Sequence, residues 1–148
     1  MFIFPGQGSQ YKGMGKDLVE KSRSAQDVYD KASSVLGYDI SELSFTDKHN
    51  EINLTKFTQP VLMTHQIACY EYFSELCDND PNPMLLAGHS LGEYTALVIS
   101  GSVSFEEGLE LVSERGKLMG KHGSGSMLAI PFNKDETEDI ISKSNCEV

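Results

Sequence analysis

At 148 residues the chain is long enough for one domain with a core of its own. Twenty-two acidic residues against twelve Lys and Arg leave a net charge of −10, which argues against nucleic acid as the main partner. No apolar run approaches a membrane span, and Pro5 interrupts the opening residues too early for a signal peptide, so no membrane partner and a cytoplasmic location are expected. Cys69, Cys77 and Cys146 lack both C-x-x-C spacing and an even count, so buried or free thiols are expected rather than disulfides or a metal site.

Phe2-Ile3-Phe4 reads as a short apolar strand. It runs into Pro5-Gly6-Gln7-Gly8-Ser9-Gln10, a loop too rich in glycine for helix or sheet, whose backbone N–H groups can come close to a ligand. The loop lacks the G-x-x-x-x-G-K-[ST] spacing of a phosphate loop, and a plain surface turn is the competing reading. Ser24 is expected to cap a helix in which Ala25, Val28, Tyr29, Ala32, Val35 and Leu36 keep helical spacing and which Gly37 stops. Residues 39–54 read as irregular, with a turn or two of helix around 40–43, and His49 is expected in solvent.

Thr58-Gln59-Pro60 is expected to open the next helix, with Pro60 in its first turn. Val61, Leu62, Met63, Ile67, Ala68, Cys69, Tyr72, Phe73 and Leu76 cover most of its circumference, which predicts a buried helix. Gln59 and His65 enter the interior with it and need partners there; His65 reads as a satisfied core residue. Residues 78–83 read as a turn.

The most informative stretch follows. Met84-Leu85-Leu86-Ala87 reads as a buried strand and residues 93–99 as the start of a helix, with Gly88-His89-Ser90-Leu91-Gly92 between them. Strand, turn and helix around G-x-S-x-G are the context of a nucleophile elbow, with Ser90 at its tip. Glycines two residues either side let strand and helix approach, and the helix N-terminus offers free N–H groups to an oxyanion forming beside Ser90.

Beyond Gly101, Ser104 and Glu107 have capping-box spacing, and the helix they open carries the stripe Phe105, Leu109, Val112, Leu118, Met119. Arg115 falls inside that stripe. A guanidinium on a core-facing face needs an anion, either one of the chain's many acids in a structural ion pair or a carboxylate or phosphate of a substrate. Residues 120–125 read as a flexible connection, 126–130 as a strand, 135–142 as a short helix and 146–148 as the start of another strand. This renewed pattern points to a second, small subdomain. A base for Ser90 is hard to find: His89 diverges from its neighbour at a tight turn, His65 is packed, His49 lies in a loop and His122 in the connection.

Phe4-Pro5-Gly6-Gln7-Gly8-Ser9-Gln10, Thr58-Gln59-Pro60, Gly88-His89-Ser90-Leu91-Gly92-Glu93-Tyr94 and Arg115-Gly116-Lys117-Leu118-Met119, in this order and at this spacing, resemble the N-terminal half of the malonyl-CoA:acyl carrier protein transacylase family. The resemblance spans essentially the whole chain. It implies an α/β fold: a partial α/β-hydrolase-like large subdomain over residues 1–122, then the start of an inserted ferredoxin-like small subdomain over residues 123–148. By the same resemblance Ser90 is the catalytic nucleophile, taking malonyl from malonyl-CoA as an ester and passing it to the phosphopantetheine thiol of acyl carrier protein in fatty acid synthesis. It also implies an oxyanion hole from the backbone N–H groups of Gln7 and Leu91, and substrate binding by Arg115 and Gln59. No metal and no cofactor beyond these substrates is implied.

Two departures stand out. The family's catalytic histidine lies well beyond residue 148, so little or no turnover is expected from these residues alone. Gly120 stands where a glutamine commonly follows the Leu-Met pair, and the connection after it is shorter than usual. Two alternatives remain open: a generic serine esterase or thioesterase, and a non-catalytic module that holds acyl carrier protein through Lys12, Lys16, Lys117 and Lys121.

Overall fold

The computed structural model describes residues 1–77, 81, 83–123 and 131–142. Strand β1 (Phe2–Phe4) is followed by helices α1 (Lys16–Val19), α2 (Arg23–Leu36), α3 (Ile40–Phe45) and α4 (Thr55–Leu76). Strand β2 (Leu86–Gly88), then α5 (Leu91–Ile99), α6 (Phe105–His122) and α7 (Lys134–Ile141) complete the order. The two strands pair in parallel, with Phe2 opposite Leu86 and Phe4 opposite Gly88. This long β1-to-β2 connection carries four helices, as a parallel pair requires.

The core lies between the helices. Tyr29 of α2, Ile40 of α3, Leu62 and Met63 of α4, Leu91 of α5 and Leu109 and Val112 of α6 are all essentially inaccessible. Helix α4 is the central post, packing against α2, α5 and α6. Its contact with α6 is close because α6 presents small residues at helical spacing: a side chain at Gly108 would strike Met63, and one at Gly116 would lie 2.7 Å from the Thr55 carbonyl. No helix among the described residues is long and apolar enough to cross a membrane.

Several sequence expectations hold. The Ser104–Glu107 capping box is present, Gly37 ends α2 in a left-handed conformation, and residues 40–45 form a short helix capped by Asp39. The short helix expected over residues 135–142 is α7, displaced by one residue and capped by Asn133. Cys69 and Cys77 are free thiols, and His49 is exposed.

Others need correction. The cap of α2 is Ser22, which accepts from the Ala25 N–H at 3.0 Å; Ser24 lies in the first turn and hydrogen-bonds Glu75. Only Ser22 has the extended backbone that turns a side-chain oxygen toward the open N–H groups. Helix α4 starts at Thr55, so Pro60 sits inside the helix rather than in its first turn. Of α4, the buried side chains run from Thr58 to Ala68, and Phe73 and Leu76 are exposed. Residues 120–122, expected in a flexible connection, continue α6, whose last turn carries the cation Lys121, which suits a helix C-terminus. Leu118 and Met119 are exposed, and the core-facing positions of α6 are Gly108, Leu109, Val112, Ser113 and Gly116.

The elbow strand is not buried as expected: Met84 and Leu85 are exposed and β2 is half-buried. Alternation shows in β1 instead. Phe4 is buried and Phe2 packs edge-on to Tyr70 and Phe73 of α4, while Ile3 points to the opposite face and is exposed. The strand expected over 126–130 and the one beginning at 146 lie outside the described residues, as does Cys146.

Candidate active site

The elbow has the geometry its sequence requires. Ser90 sits at φ 54°, ψ −101°, a strained backbone for a non-glycine residue, between the end of β2 and the first turn of α5. A side chain at Gly88 would lie 2.0 Å from the Gly92 backbone, and one at Gly92 would lie 2.1 Å from the Phe4 carbonyl. Both approaches exclude a β-carbon, so the two glycines permit the turn to fold tightly against the sheet. The His89 N–H donates to the Phe4 carbonyl at 3.0 Å, extending the strand pairing to the residue before Ser90. Ser90 is exposed at the resulting tip.

The glycine-rich loop after β1 is held against this elbow. Gly6 is buried, and a side chain there would strike both His89 O and Nδ1 at 2.8 Å. Gln66, buried in α4, donates from Nε2 to the Pro5 carbonyl at 2.8 Å and accepts on Oε1 from Thr95 Oγ1 of α5 at 2.5 Å. One amide thus ties the first loop to the elbow helix. Gln7 is exposed and its side chain reaches Thr55 Oγ1 at 3.3 Å. Leu91 is the first residue of α5, where a backbone N–H has no carbonyl within its own helix to bond.

Arg115 joins the group from α6. Its Nη2 donates to Ser90 Oγ at 2.9 Å and its Nη1 to Gln59 Oε1 at 2.8 Å, with the guanidinium 5.6 Å from the centre of the Tyr94 ring. Gln59 is fully buried, and its Nε2 is directed at Met119 Sδ at 3.3 Å. Arg115 itself is half-buried at the edge of the α4–α6 seam rather than on the core face. Among the described residues it forms no ion pair with an acid, so its partners are neutral and its charge stays uncompensated.

The histidines do not supply a base. Among the described residues none hydrogen-bonds Ser90. His89 is exposed with its ring over Gly6, and His49 and His122 are exposed elsewhere. His65 is a packed residue as expected, with Nδ1 3.5 Å from Tyr29 Oη and Nε2 3.5 Å from Cys69 Sγ. Burial lowers the His65 pKa, partly opposed by the Asp17 charge, and burial pushes the Cys69 thiol up to about 11. Burial thus favours the neutral forms of both groups, in a cluster packed against Gly15 and Tyr11.

The structure therefore brings Ser90, Leu91, Arg115 and Gln59 together and places the loop of Gln7 beside them. Gln66, Thr95 and Tyr94 were not singled out from sequence. Gln66 carried a usable signal: it lies seven residues after Gln59, on the same face of α4, as a second polar residue in the buried stretch.

A family model described as acyl transferase domain matches residues 1–146. The chain belongs to the acyl transferase domain family. It is 43% identical over 132 residues to the malonyl CoA-acyl carrier protein transacylase of Bacillus subtilis (strain 168), covering 87% of this chain and 41% of that protein. Among solved structures, the malonyl CoA-acyl carrier protein transacylase of Coxiella burnetii superposes with a TM-score of 0.84 at 37% identity, covering 96% of this chain and 46% of that one. A malonyl-transacylase solved in complex with its type II polyketide acyl-carrier protein superposes at 0.74 with 42% identity, over 80% of this chain and 38% of that one. In each case the chain spans less than half the relative's length. The mixed α/β architecture is thus that of malonyl transacylases, of which these residues match the N-terminal part.

Proposed function

We propose that this chain carries the acyl-accepting half of a malonyl-CoA:acyl carrier protein transacylase site. Ser90 Oγ attacks the malonyl thioester, its proton passes to a base, and coenzyme A leaves as the thiol; the resulting ester is then transferred to the phosphopantetheine thiol of acyl carrier protein. The N–H groups of Gln7 and Leu91 stabilise the oxyanion, Arg115 pairs with the malonyl carboxylate, and Gln59 lines the site behind it. The base belongs to the part of the fold that the relatives possess beyond this match. A hydrolase-like large subdomain over residues 1–122, with a ferredoxin-like insertion beginning after it, completes this reading, as do fatty acid synthesis and a cytoplasmic location.

The observation that carries the proposal is the uncompensated Arg115 guanidinium 2.9 Å from Ser90 Oγ. A generic esterase has no use for a cation at that distance. The experiment is incubation with malonyl-CoA or acetyl-CoA, with imidazole supplied in solution as the base, followed by intact mass and peptide mapping. Malonyl ester on Ser90, in excess over acetyl ester and absent from Ser90→Ala, is the expected result. Equal labelling by both thioesters, or label at other residues, would overturn it.

A further inference from the structure

The geometry points to Arg115 as a catch on the nucleophile, one that a carboxylate-bearing acyl group releases. The guanidinium donates to Ser90 Oγ; a carboxylate draws it off and frees the serine to react. The inference rests on the reading of Ser90 as nucleophile and Arg115 as carboxylate fork, and adds an order of events to it.

The two ends of the guanidinium are held unequally. Nη1 is fixed by Gln59 Oε1 at 2.8 Å, and Gln59 is fully buried with its own amide directed at Met119 Sδ. The Tyr94 ring flanks the group. Among the described residues Nη2 has only a neutral hydroxyl, on an exposed residue at the tip of a strained turn. A carboxylate offers a full charge and two oxygens, so it competes well for that end while Gln59 keeps the other in place. The exchange swaps hydrogen bonds and makes or breaks no covalent bond.

The catch matters because the lone pair that accepts from Arg115 belongs to the atom that must attack. As the Oγ–C bond forms, that electron density moves to the carbonyl carbon, and the ester oxygen that results is a poor acceptor. The Arg115 contact therefore stabilises the resting serine more than the transition state, which slows the step. An acyl group ending in methyl leaves the catch closed. Selectivity for malonyl is then partly a matter of reactivity, in addition to the binding of its carboxylate.

A small neutral dialkyl fluorophosphate tests this without any carboxylate of its own. With imidazole supplied at fixed concentration as the base, its phosphorus forms a bond to Ser90 Oγ while fluoride leaves and the serine proton passes to imidazole, and the adduct is followed by intact mass. Saturating free malonate, compared with sodium chloride at equal ionic strength, is expected to speed labelling of the wild-type chain by roughly tenfold, the factor produced by losing about 1.4 kcal/mol of ground-state stabilisation. Arg115→Met, which keeps the apolar stem, is expected to label at the faster rate without malonate and to ignore its addition. Malonate that slows or does not change wild-type labelling, or Arg115→Met no faster than wild type, would overturn the catch while leaving Ser90 as nucleophile. Equal labelling of Ser90→Ala would instead defeat the nucleophile reading on which the catch depends.

Discussion

Gln59 Oε1 accepts from Arg115 Nη1 at 2.8 Å, across fifty-six positions of sequence, and sets the direction in which the guanidinium points. The contact exists because Gly116 lets α6 lie against the first turn of α4. Gln59 satisfies one end of the cation without neutralising it. Gln59→Glu would place a carboxylate there instead, converting a positioned cation into a half-buried ion pair. Malonate binding, measured by titration calorimetry, is expected to fall by about tenfold or more. Thermal stability is expected to stay near wild type. Undiminished malonate affinity in Gln59→Glu would show that Arg115 does not receive the carboxylate.

Removing Arg115 itself tests the proposed carboxylate recognition apart from the proposed acyl transfer. In Arg115→Ala, labelling of Ser90 by malonyl-CoA is expected to drop to the level given by acetyl-CoA. That is a loss of about tenfold to a hundredfold in preference, the range of a charge-assisted hydrogen bond worth roughly 1.5–3 kcal/mol. The readout is the ratio of the two ester masses at equal thioester concentration. An unchanged ratio would remove the carboxylate-fork assignment and return the esterase reading to favour.

Much of this site was legible because its parts are dictated by local chemistry. The elbow is set by Gly88, which lets the strand end lie against the start of α5, and Gly92, which lets α5 lie against Phe4, and that constraint shows in five consecutive residues. Arg115 announced itself as a cation at an apolar position. Its partners were not legible, since pairing with Gln59 depends on where α4 and α6 cross. The misread boundaries have physical causes as well. Ser22 and Ser24 are equivalent as residue types, and only backbone conformation selects the cap. Pro60 suggested a helix start, but α4 begins one turn earlier and tolerates a proline inside. Met84 and Leu85 read as buried because apolar runs usually are, whereas burial of a parallel strand depends on what covers each face.

The close approach of Gly92 to β1 gives a stability prediction. A β-carbon there would fall 2.1 Å from the Phe4 carbonyl oxygen, which is backbone and cannot rotate away. Gly92→Ala is expected to destabilise the fold by about 3 kcal/mol, at the upper end of the usual overpacking cost. Urea unfolding followed by circular dichroism reads this as a lower midpoint. A shift of less than about 0.5 kcal/mol, the scale of an ordinary surface change, would mean that β1 and α5 separate readily.

Gln66 links the first loop to the elbow helix through Pro5 and Thr95, and its loss is expected to act mainly on the loop. In Gln66→Leu the Pro5 carbonyl and the Thr95 hydroxyl both lose a partner, and the hydroxyl, which is fully buried, is left unsatisfied at a cost of about 1–3 kcal/mol. Hydrogen exchange by mass spectrometry is expected to show faster exchange over residues 5–10 and the start of α5, with α2 and α3 unchanged. Uniform acceleration across all helices would indicate that Gln66 supports the core as a whole instead of the loop.

His65 makes stability depend on pH in a defined direction. Burial lowers its folded pKa below the ordinary value of 6.5, with the Asp17 charge opposing in part. In the unfolded chain His65 takes up a proton as pH falls through about 6.5, while the folded chain resists protonation, so the unfolded state binds more protons there. The contribution is fully present above pH 6.5 and is lost as pH drops toward the folded pKa. Stability from urea titrations at pH 7.5, 6.5, 5.5 and 5.0 is therefore expected to decline on the acid side. His65→Gln keeps a hydrogen-bonding group between Tyr29 and Cys69 and has no proton to gain, so its decline is expected to be shallower over the same interval. Parallel curves for the two proteins would place the acid sensitivity in other groups and count against a neutral, desolvated His65.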